Sequence, residues 1–462
     1  MKIHLIGIGG SIMHNLAIDL KQAWHTVSGS DKEIFDPAKS RLEKYGLLPS
    51  DIWRSEDNIT PDIDIVILGM TAADNNIEKL KAQELWLKVL SFPQFVYEHS
   101  KDKTRVVIGW SHGKTSTTSM ICHVLQYDKE DFDLLVGSQI PGWDKMVSLS
   151  DADKIIIEWD EYPDSKIDLT PKFLVYKHDI WVLNGIDRDH INIYDTLESY
   201  MDCFRKFVKQ TPRDGVMYYY QDDDKVVQII KESNIPNVIW YTIHPNIIEN
   251  GITYLITPTW QQIPLEIFGD HNMINISAAK CVCERLGMSQ DQFYKAISTF
   301  TWAKTRLEKI HDINKDNQKI VIFRDFAHSP SKLQATCQAV RKQYPERKVI
   351  AIFELHTFST MTAEFMKEYK NHFDTPDQAI IYLSDHASSL KKTELEKKWL
   401  HLATDEDIIW WFRREDIKII RSASELVTYI TNIDKSNTAL LLMSSGNFDW
   451  LDIFKLVDSL AN

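Results

Sequence analysis

The residues best suited to chemistry lie in the run TRVVIGWSHGKTSTTSMICHVLQ, from Thr104 to Gln126. Arg105 to Gly109 reads as a buried strand and Trp110 to Gly113 as a tight turn. From Lys114 onward, Met120, Ile121, Val124 and Leu125 recur at helical spacing. A strand, a glycine turn and Lys-Thr opening a helix make a cradle for phosphate, because backbone N–H groups and a helix N-terminus favour anionic oxygens. Lys114 can then reach the terminal phosphates of a nucleotide, and the Thr115 hydroxyl can sit on Mg²⁺. The strict G-x-x-x-x-G-K-[ST] spacing is not met, since position 108 is Ile. The context carries the reading; the plain alternative is an ordinary strand-to-helix turn with a solvated lysine.

Other reactive groups fall at the ends of apolar runs. The strand Lys154 to Ile157 ends in Glu158-Trp159-Asp160-Glu161, and Ile180 to Leu183 leads to Asp187-Arg188-Asp189-His190. Carboxylates and a histidine just past strand ends, beside a phosphate loop, are placed to hold Mg²⁺. The alternative is a set of solvated strand ends. At the N-terminus, the strand Lys2 to Ile6 is followed by Gly7-Ile8-Gly9-Gly10 and a helix from Ser11 to Ala23. Gly7 and Gly9 turn the chain and let backbone approach a diphosphate. A second strand, Thr26 to Ser28, ends at Gly29-Ser30-Asp31, which puts an acid where dinucleotide folds hold a ribose. The third glycine of that fingerprint is missing.

The elements that must position these groups alternate. Ile63 to Leu68 is a strand ending at Gly69-Met70-Thr71, then come a helix Asn76 to Leu85 and a strand Lys88 to Ser91. Thr196 to Val208 has the pattern of an amphipathic helix, Val216 to Pro258 reads only as short strands and turns, and Met273 to Leu286 is a helix closed by Gly287. Strands at Lys319 to Phe323, Lys348 to Phe353, Ala379 to Leu383 and Ala439 to Met443 end in Asp325-Phe326-Ala327-His328, Glu354-Leu355-His356 and Ser444-Ser445-Gly446-Asn447. Such alternation predicts an α/β chain of parallel sheets with helices on both faces.

At 462 residues the chain is long enough for two to four domains. A net charge of −13 argues against nucleic acid or an anionic membrane as the main partner. No apolar run approaches the ~18–20 residues of a membrane span. The start resembles no signal peptide, and five cysteines without a CxxC suggest reduced thiols, so a cytoplasmic location is expected.

Taken together, GWSHGKTSTTSM, IIEWDEY, Asp189-His190, FGDHNMIN, Arg306-Leu307-Glu308 and RDFAHSPSKL resemble the Mur ligases of peptidoglycan synthesis, in chain order and over nearly the whole length. The resemblance implies three domains: residues 1–101, Rossmann-like, for a UDP-sugar; 102–302, a P-loop ATPase type, for ATP; and 303–462, Rossmann-like, for the amine substrate and closure over ATP. GIGGSIMHNLA and SGSD look like the branch that binds UDP-N-acetylmuramate. DFAHSP and MSSGNF look most like the branch that adds a murein tripeptide, with the L-alanine-adding branch as the alternative. The implied reaction is phosphorylation of the lactyl carboxylate by ATP, then attack of a short peptide's or amino acid's amine on the acyl phosphate. By the same resemblance, ATP contacts fall at Ser111, His112, Gly113, Lys114, Thr115, Ser116, Asn272, Arg306, Asp325 and His328. Mg²⁺ ligands fall at Thr115, Glu158 and His190, and UDP-sugar contacts at Gly7, Gly9, Gly10, Ser30, Asp31 and Thr71. Lys114, Glu158, His190 and Arg306 are the expected catalytic set. Ser329, His356 and Asn447, at strand ends of the third domain, are candidates for amine specificity.

The sequence departs from that family in one repeated way. Glycine numbers 16 and tryptophan 14, whereas ordinary usage of about 7% would give roughly thirty glycines. Trp110 stands where the family's phosphate loop has its first glycine. Trp24 and Trp86 sit between a helix and the next strand, where a left-handed glycine is expected; Trp159 interrupts what is usually E-small-D-E in the family, and Trp302 and Trp450 fall where relatives tend to carry glycine. Two readings fit: drift to a destabilised or inactive relative, or a codon read as tryptophan in place of glycine. Drift would leave a non-catalytic UDP-sugar binder as a competing function. A nucleotide-sugar oxidoreductase, suggested by the first glycine turn alone, leaves the second phosphate loop unexplained.

Overall fold

Short runs rich in Ile, Val and Leu, closed by glycine or charge, form strands buried on both faces, as parallel sheets under helices require. The computed structural model describes residues 1–462 except 50–53, 71, 112, 141–142, 159–171, 187–195, 302–305, 316–317, 358, 398 and 461–462. The chain divides into two compact units, Met1–Thr242 with Ile274–Ile297, and Ile243–Met273 with Ser298–Asn462.

The first unit opens with β1 (Lys2–Ile6), α1 (Ser11–Gln22), β2 (Thr26–Ser30), α2 (Ala38–Lys44), β3 (Ile65–Leu68), α3 (Ile77–Glu84), β4 (Lys88–Ser91) and α4 (Phe92–Ser100). The strands form a parallel sheet in the order β2-β1-β3-β4. The connection from β1 leads outward to β2 and that from β3 leads outward to β4 on the other side, which opens a crevice at the carboxyl ends of β1 and β3.

The second sheet of this unit contains β5 (Thr104–Ile108), β6 (Asp133–Leu135), β7 (Val147–Ser148), β8 (Lys154–Glu158), β9 (Ile180–Leu183), β10 (Val216–Tyr220) and β11 (Val238–Tyr241). Its order is β11-β10-β9-β5-β8-β6-β7, parallel except that β7 runs against β6. Strand β5 is central, between β8 and β9. Around it lie α5 (Lys114–Tyr127), α6 (Phe173–Tyr176), α7 (Leu197–Val208), α8 (Asp224–Ser233) and α10 (Gln290–Ile297); α9 (Asp270–Arg285) runs from the second unit into the first. Thr196 and Ser199 close a capping box on α7, which fixes the start of that helix. Helix α8 corrects the reading of 216–258 as strands and turns alone. Asp223 accepts the Val226 N–H at 2.9 Å, and Val226 and Ile229 are buried three residues apart. That is a capped amphipathic turn, obscured in the sequence by the run of acids before it.

The second unit has an antiparallel sheet of β12 (Asn246–Glu249), β13 (Ile252–Ile256) and β14 (Gln262–Leu265). Its larger sheet orders β15 (Glu308–Lys315), β16 (Gln318–Asp325), β20 (Thr438–Met443), β17 (Lys348–Glu354), β18 (Gln378–Tyr382) and β19 (Lys418–Ile420), with only β15 antiparallel. Helices α11 (Pro330–Gln343), α12 (Ala363–Met366), α13 (Asp385–Lys397), α14 (Asp405–Phe412), α15 (Ala423–Thr431) and α16 (Ile453–Leu460) connect these strands or follow them. The strand period of two divides the core. Val321, Phe323, Phe353 and Leu441 pack into one cluster, while Ile320, Ile322, Ile352 and Leu440 pack into the other.

Among the described residues, five tryptophans adopt the left-handed backbone: Trp24 (φ 64°), Trp86 (φ 55°), Trp260 (φ 63°), Trp399 (φ 59°) and Trp450 (φ 64°). The expectation of left-handed C-caps at Trp24 and Trp86 matches the backbone found there.

Candidate active site

The phosphate loop is built where β5 ends in the middle of its sheet. The strand runs out at Ile108, the chain turns through Trp110 and Ser111, and α5 begins at Lys114. Gly113 precedes the helix with φ 89°, and a Cβ there would meet Asn275 Oδ1 at 2.6 Å, so only glycine fits. The N-cap residue, Gly113, has no side chain to cap the helix, and the first N–H groups of such a helix are in the arrangement that attracts phosphate oxygens. Ser111 is buried, with its hydroxyl 3.3 Å from the Tyr200 hydroxyl. Ser116 lies half-buried in the first turn. The Lys114 ammonium donates to the carbonyl of Trp110 at 2.7 Å, folding the lysine back along the loop.

Glu158, the last residue of β8, comes to the same edge. The Thr115 hydroxyl donates to Glu158 Oε1 at 2.7 Å, and Gly137 N donates to Glu158 Oε2 at 3.2 Å. A hydroxyl and a carboxylate in contact at a phosphate loop are hard oxygen donors that would suit Mg²⁺. Among the described residues, no three His, Cys, Asp or Glu side chains gather into a metal site. Thr115 and Glu158 would suit a magnesium held jointly with a nucleotide. Behind the loop, Asn184 Nδ2 donates to Asn275 Oδ1 at 2.9 Å, and the Tyr241 hydroxyl donates to Asn184 Oδ1. This buried bracket braces the residue that crowds Gly113. The sequence reading passed over both asparagines, although Asn275 lies inside the FGDHNMIN run.

Trp110 is 1% exposed and its φ is not left-handed. The indole is thus enclosed by protein one residue past β5, in a loop that works by letting backbone reach phosphate.

In the first sheet, Gly7 N and Ile8 N donate to Ser30 O at 2.8 and 3.1 Å, which folds the glycine turn over the end of β2. Gly9 N donates to Asp31 Oδ2 at 2.9 Å, and Gly10 stands at the N-terminus of α1. Gly7, Gly9, Gly10 and Asp31 are therefore brought together at the crevice. Ser30 is fully buried and its hydroxyl donates to the Glu78 carboxylate, so its side chain holds the sheet. Glu78 in turn is fully buried; burial pushes its carboxyl up, but the His4 ring 3.8 Å away and hydrogen bonds from Asn58 and Ser30 outweigh that and hold it below its ordinary value.

In the second unit, β16 runs two residues further than expected and ends in Asp325. Asp325 Oδ2 accepts Leu307 N at 2.6 Å, and Oδ1 accepts Ala327 N at 2.7 Å and the Thr336 hydroxyl at 3.3 Å. Burial raises its carboxyl above the ordinary range, against the pull of the Arg306 guanidinium and these bonds. Arg306 lies over the Phe326 ring at 4.9 Å, and His328 Nδ1 is 2.9 Å from Phe326 O. Arg306, Asp325 and His328 thus form one local group. Asn272, in the first turn of α9, donates to Phe268 O at 2.8 Å. A carboxylate that the sequence reading left without a role ends β17. Glu354 is buried, with Oε2 accepting from the Ser444 hydroxyl and, at 3.2 Å, from Phe448 N, and with His356 Nδ1 3.6 Å from Oε1. Its position at a strand's carboxyl end was the available signal. His112, Thr71 and His190, with Trp159 and Trp302, lie outside the described residues.

An α/β chain with a phosphate loop on a central parallel sheet, a glycine crevice before it and a second parallel sheet after it defines a nucleotide-dependent enzyme class. Comparison with known proteins identifies the family. Profiles described as Mur ligase family catalytic domain, Mur ligase middle domain and Mur ligase glutamate ligase domain match residues 2–104, 108–283 and 305–446. The UDP-N-acetylmuramate–L-alanine ligase of Clostridium kluyveri is 30% identical over 474 aligned positions, covering 100% of this chain and 98% of that protein. Among solved structures, the UDP-N-acetylmuramate-alanine ligase of Thermotoga maritima aligns with TM-score 0.67 at 19% identity, and a murein peptide ligase of Psychrobacter arcticus with TM-score 0.62 at 22% identity. Each of the two covers 100% of this chain and 99% of its own. The chain belongs to the Mur ligases, and it is an ATP-dependent, ADP-forming ligase of peptidoglycan biosynthesis.

Proposed function

We propose that this ligase joins the lactyl carboxylate of UDP-N-acetylmuramate to the amine of L-alanine. One observation carries the choice of amine: a relative similar over the full length of both chains acts, by its name, on L-alanine. The tripeptide expected from DFAHSP and MSSGNF becomes the second reading, supported by those two runs and by fold-level likeness to murein peptide ligases.

In this reading ATP supplies the phosphoryl group that activates the carboxylate. The chain's own part is to hold charge in place, since phosphoryl transfer is catalysed mainly by positioning and electrostatic stabilisation. The first turn of α5 and Lys114 take the nucleotide phosphates; Thr115 and Glu158 hold Mg²⁺ against them, with His190 a ligand of a second ion. Arg306 is a phosphate-neutralising cation, Asp325 and His328 are nucleotide contacts, and Asn272 is an adenine contact. Gly7, Gly9, Gly10 and Asp31 carry the uridine diphosphate.

The test is ADP release by the purified chain with Mg²⁺, ATP and UDP-N-acetylmuramate, adding either L-alanine or L-alanyl-γ-D-glutamyl-diaminopimelate. Release that depends on L-alanine is expected. Release that depends only on the tripeptide would replace this reading with the second, and release with neither would remove both for the chain as written.

A further inference from the structure

Three of the five left-handed tryptophans share more than a backbone angle. Trp24 N donates to Lys21 O at 3.1 Å and His25 N to Leu20 O at 3.0 Å. After α3, Trp86 N donates to Gln83 O at 3.1 Å and Leu87 N to Ala82 O at 2.9 Å. After α13, Trp399 N donates to Glu396 O and Leu400 N to Leu395 O, both at 3.1 Å. This pair of bonds is the Schellman termination, whose left-handed position is usually glycine. Among the described residues the same motif is also filled with glycine, at positions 46 and 287. Gly46 N reaches Glu43 O at 3.0 Å with Leu47 N on Leu42 O at 2.8 Å, and Gly287 N reaches Glu284 O at 3.1 Å with Met288 N on Cys283 O at 3.0 Å. Trp260 ends a turn between β13 and β14, its N–H on Thr257 O at 2.9 Å, in the left-handed place that a hairpin of this kind gives to glycine.

The indoles do nothing in return. They are 95%, 94%, 85%, 90% and 88% exposed at positions 24, 86, 260, 399 and 450. A tryptophan kept for packing is found enclosed, as Trp181 is in β9, fully buried with its ring 4.5 Å edge-on to Phe207. Lys129 also occupies a left-handed helix end, so the backbone does not forbid a side chain. What is unusual is that a bulky aromatic, for which positive φ is a true outlier, should recur there and stay in water. A surface selected for aromatic contact would not place its rings at the positions that disfavour them most.

We propose that positions 24, 86, 260, 399 and 450 are glycine in the protein its own cells make, because the host translates the codon written here as tryptophan as glycine. Position 110 is enclosed and not left-handed, so the assignment extends to it on a separate ground, its place in the phosphate loop: glycine there would remove the indole and restore close approach of backbone to phosphate. It also accounts for the joint shortage of glycine and excess of tryptophan, 16 against 14.

The test is mass spectrometry of peptides of the protein isolated from its source cells, read beside the gene's codons. The segment between Lys81 and Lys88 reports on position 86 alone, and the segment containing Trp181 is the internal control. Glycine masses at 24, 86, 260, 399 and 450, a tryptophan mass at 181, and a different codon at the two kinds of site are expected. Tryptophan masses at the five positions, or one shared codon at all of them, would overturn the proposal. Position 110 is read in the same experiment: tryptophan there with glycine at the other five would overturn the extension to the phosphate loop. Neither readout depends on which amine the ligase uses.

Discussion

Lys114 and Glu158 are each engaged by a neighbour from their own loop region, the lysine on Trp110 O and the carboxylate on Thr115 and Gly137 N. Both contacts can be exchanged for phosphate and metal at little cost, because the groups already sit at the carboxyl edge of one sheet. Lys114→Met is therefore expected to lower the turnover of ADP release by about 10²–10³-fold, the range for loss of one charge-stabilising donor. Glu158→Gln keeps the shape and one acceptor but loses the charge that would face a Mg²⁺ in the proposed reaction. It should cost a similar factor, recovered in part at high Mg²⁺, with unchanged far-ultraviolet circular dichroism. Position 110 acts on the same chemistry from the backbone. Trp110→Gly should tighten Mg-ATP binding tenfold or more, about 1.4 kcal/mol, in titration calorimetry. An unchanged affinity would mean that the enclosed indole leaves the loop's N–H groups accessible.

At the scale of elements, a non-glycine residue in the left-handed region costs roughly 1–2 kcal/mol. Trp24→Gly and Trp86→Gly should each raise the unfolding free energy by about 1 kcal/mol in urea titrations, since the bare indoles contribute no packing to lose. The reverse change, Gly46→Trp after α2, should lower it by a similar amount. The C-caps were legible because helix periodicity stops where the next strand begins, which leaves one residue to reverse the chain; Trp24 and Trp86 fell there whatever their identity. Strand ends were legible for the same reason, since Glu158 and Asp325 follow apolar runs that only a buried parallel strand explains. Helix α8 was not, because its cap stands in a run of acids that reads as loop. Nor were Asn184 and Asn275, since a buried hydrogen-bonded pair 91 positions apart has no local pattern. Glu354 was visible as a strand end, but its pairing with Ser444 belongs to two strands that become neighbours only in the folded sheet.

At the scale of the first unit, buried carboxylates tie distant segments together and give opposite responses to acid. Asp133, at the start of β6, is enclosed with the Lys103 ammonium 2.6 Å and His99 Nε2 3.0 Å from its Oδ2, while Ser150 N and Oγ each donate to Oδ1 at 2.7 Å. Burial pushes its carboxyl up, but these partners outweigh burial and hold it below the ordinary value of 3.8. Asp19, on α1, accepts Lys145 Nζ and Leu149 N, each at 2.8 Å, which joins the first sheet's helix to the strand β7 edge of the second. There burial prevails, and the carboxyl lies above 3.8. The signs follow. Asp133 binds its proton less readily folded than unfolded, so its contribution is complete above the unfolded value and is lost as the pH falls through the lower folded one. Asp19 binds its proton more readily when folded, so its ionised form is the less favourable one at neutral pH, and the folded state gains relative stability as acid protonates it. Asp133→Asn should thus destabilise the unit by about 3 kcal/mol at pH 7, as removal of one partner from a buried ion pair does, and the difference from the parent should shrink as the pH drops below about 4. Asp19→Asn should give a difference that grows over that same descent. Denaturation midpoints of the two variants between pH 7 and pH 3 would separate them: parallel curves would mean that neither carboxylate couples folding to protonation, and that the ties between the two sheets are held by backbone and packing alone.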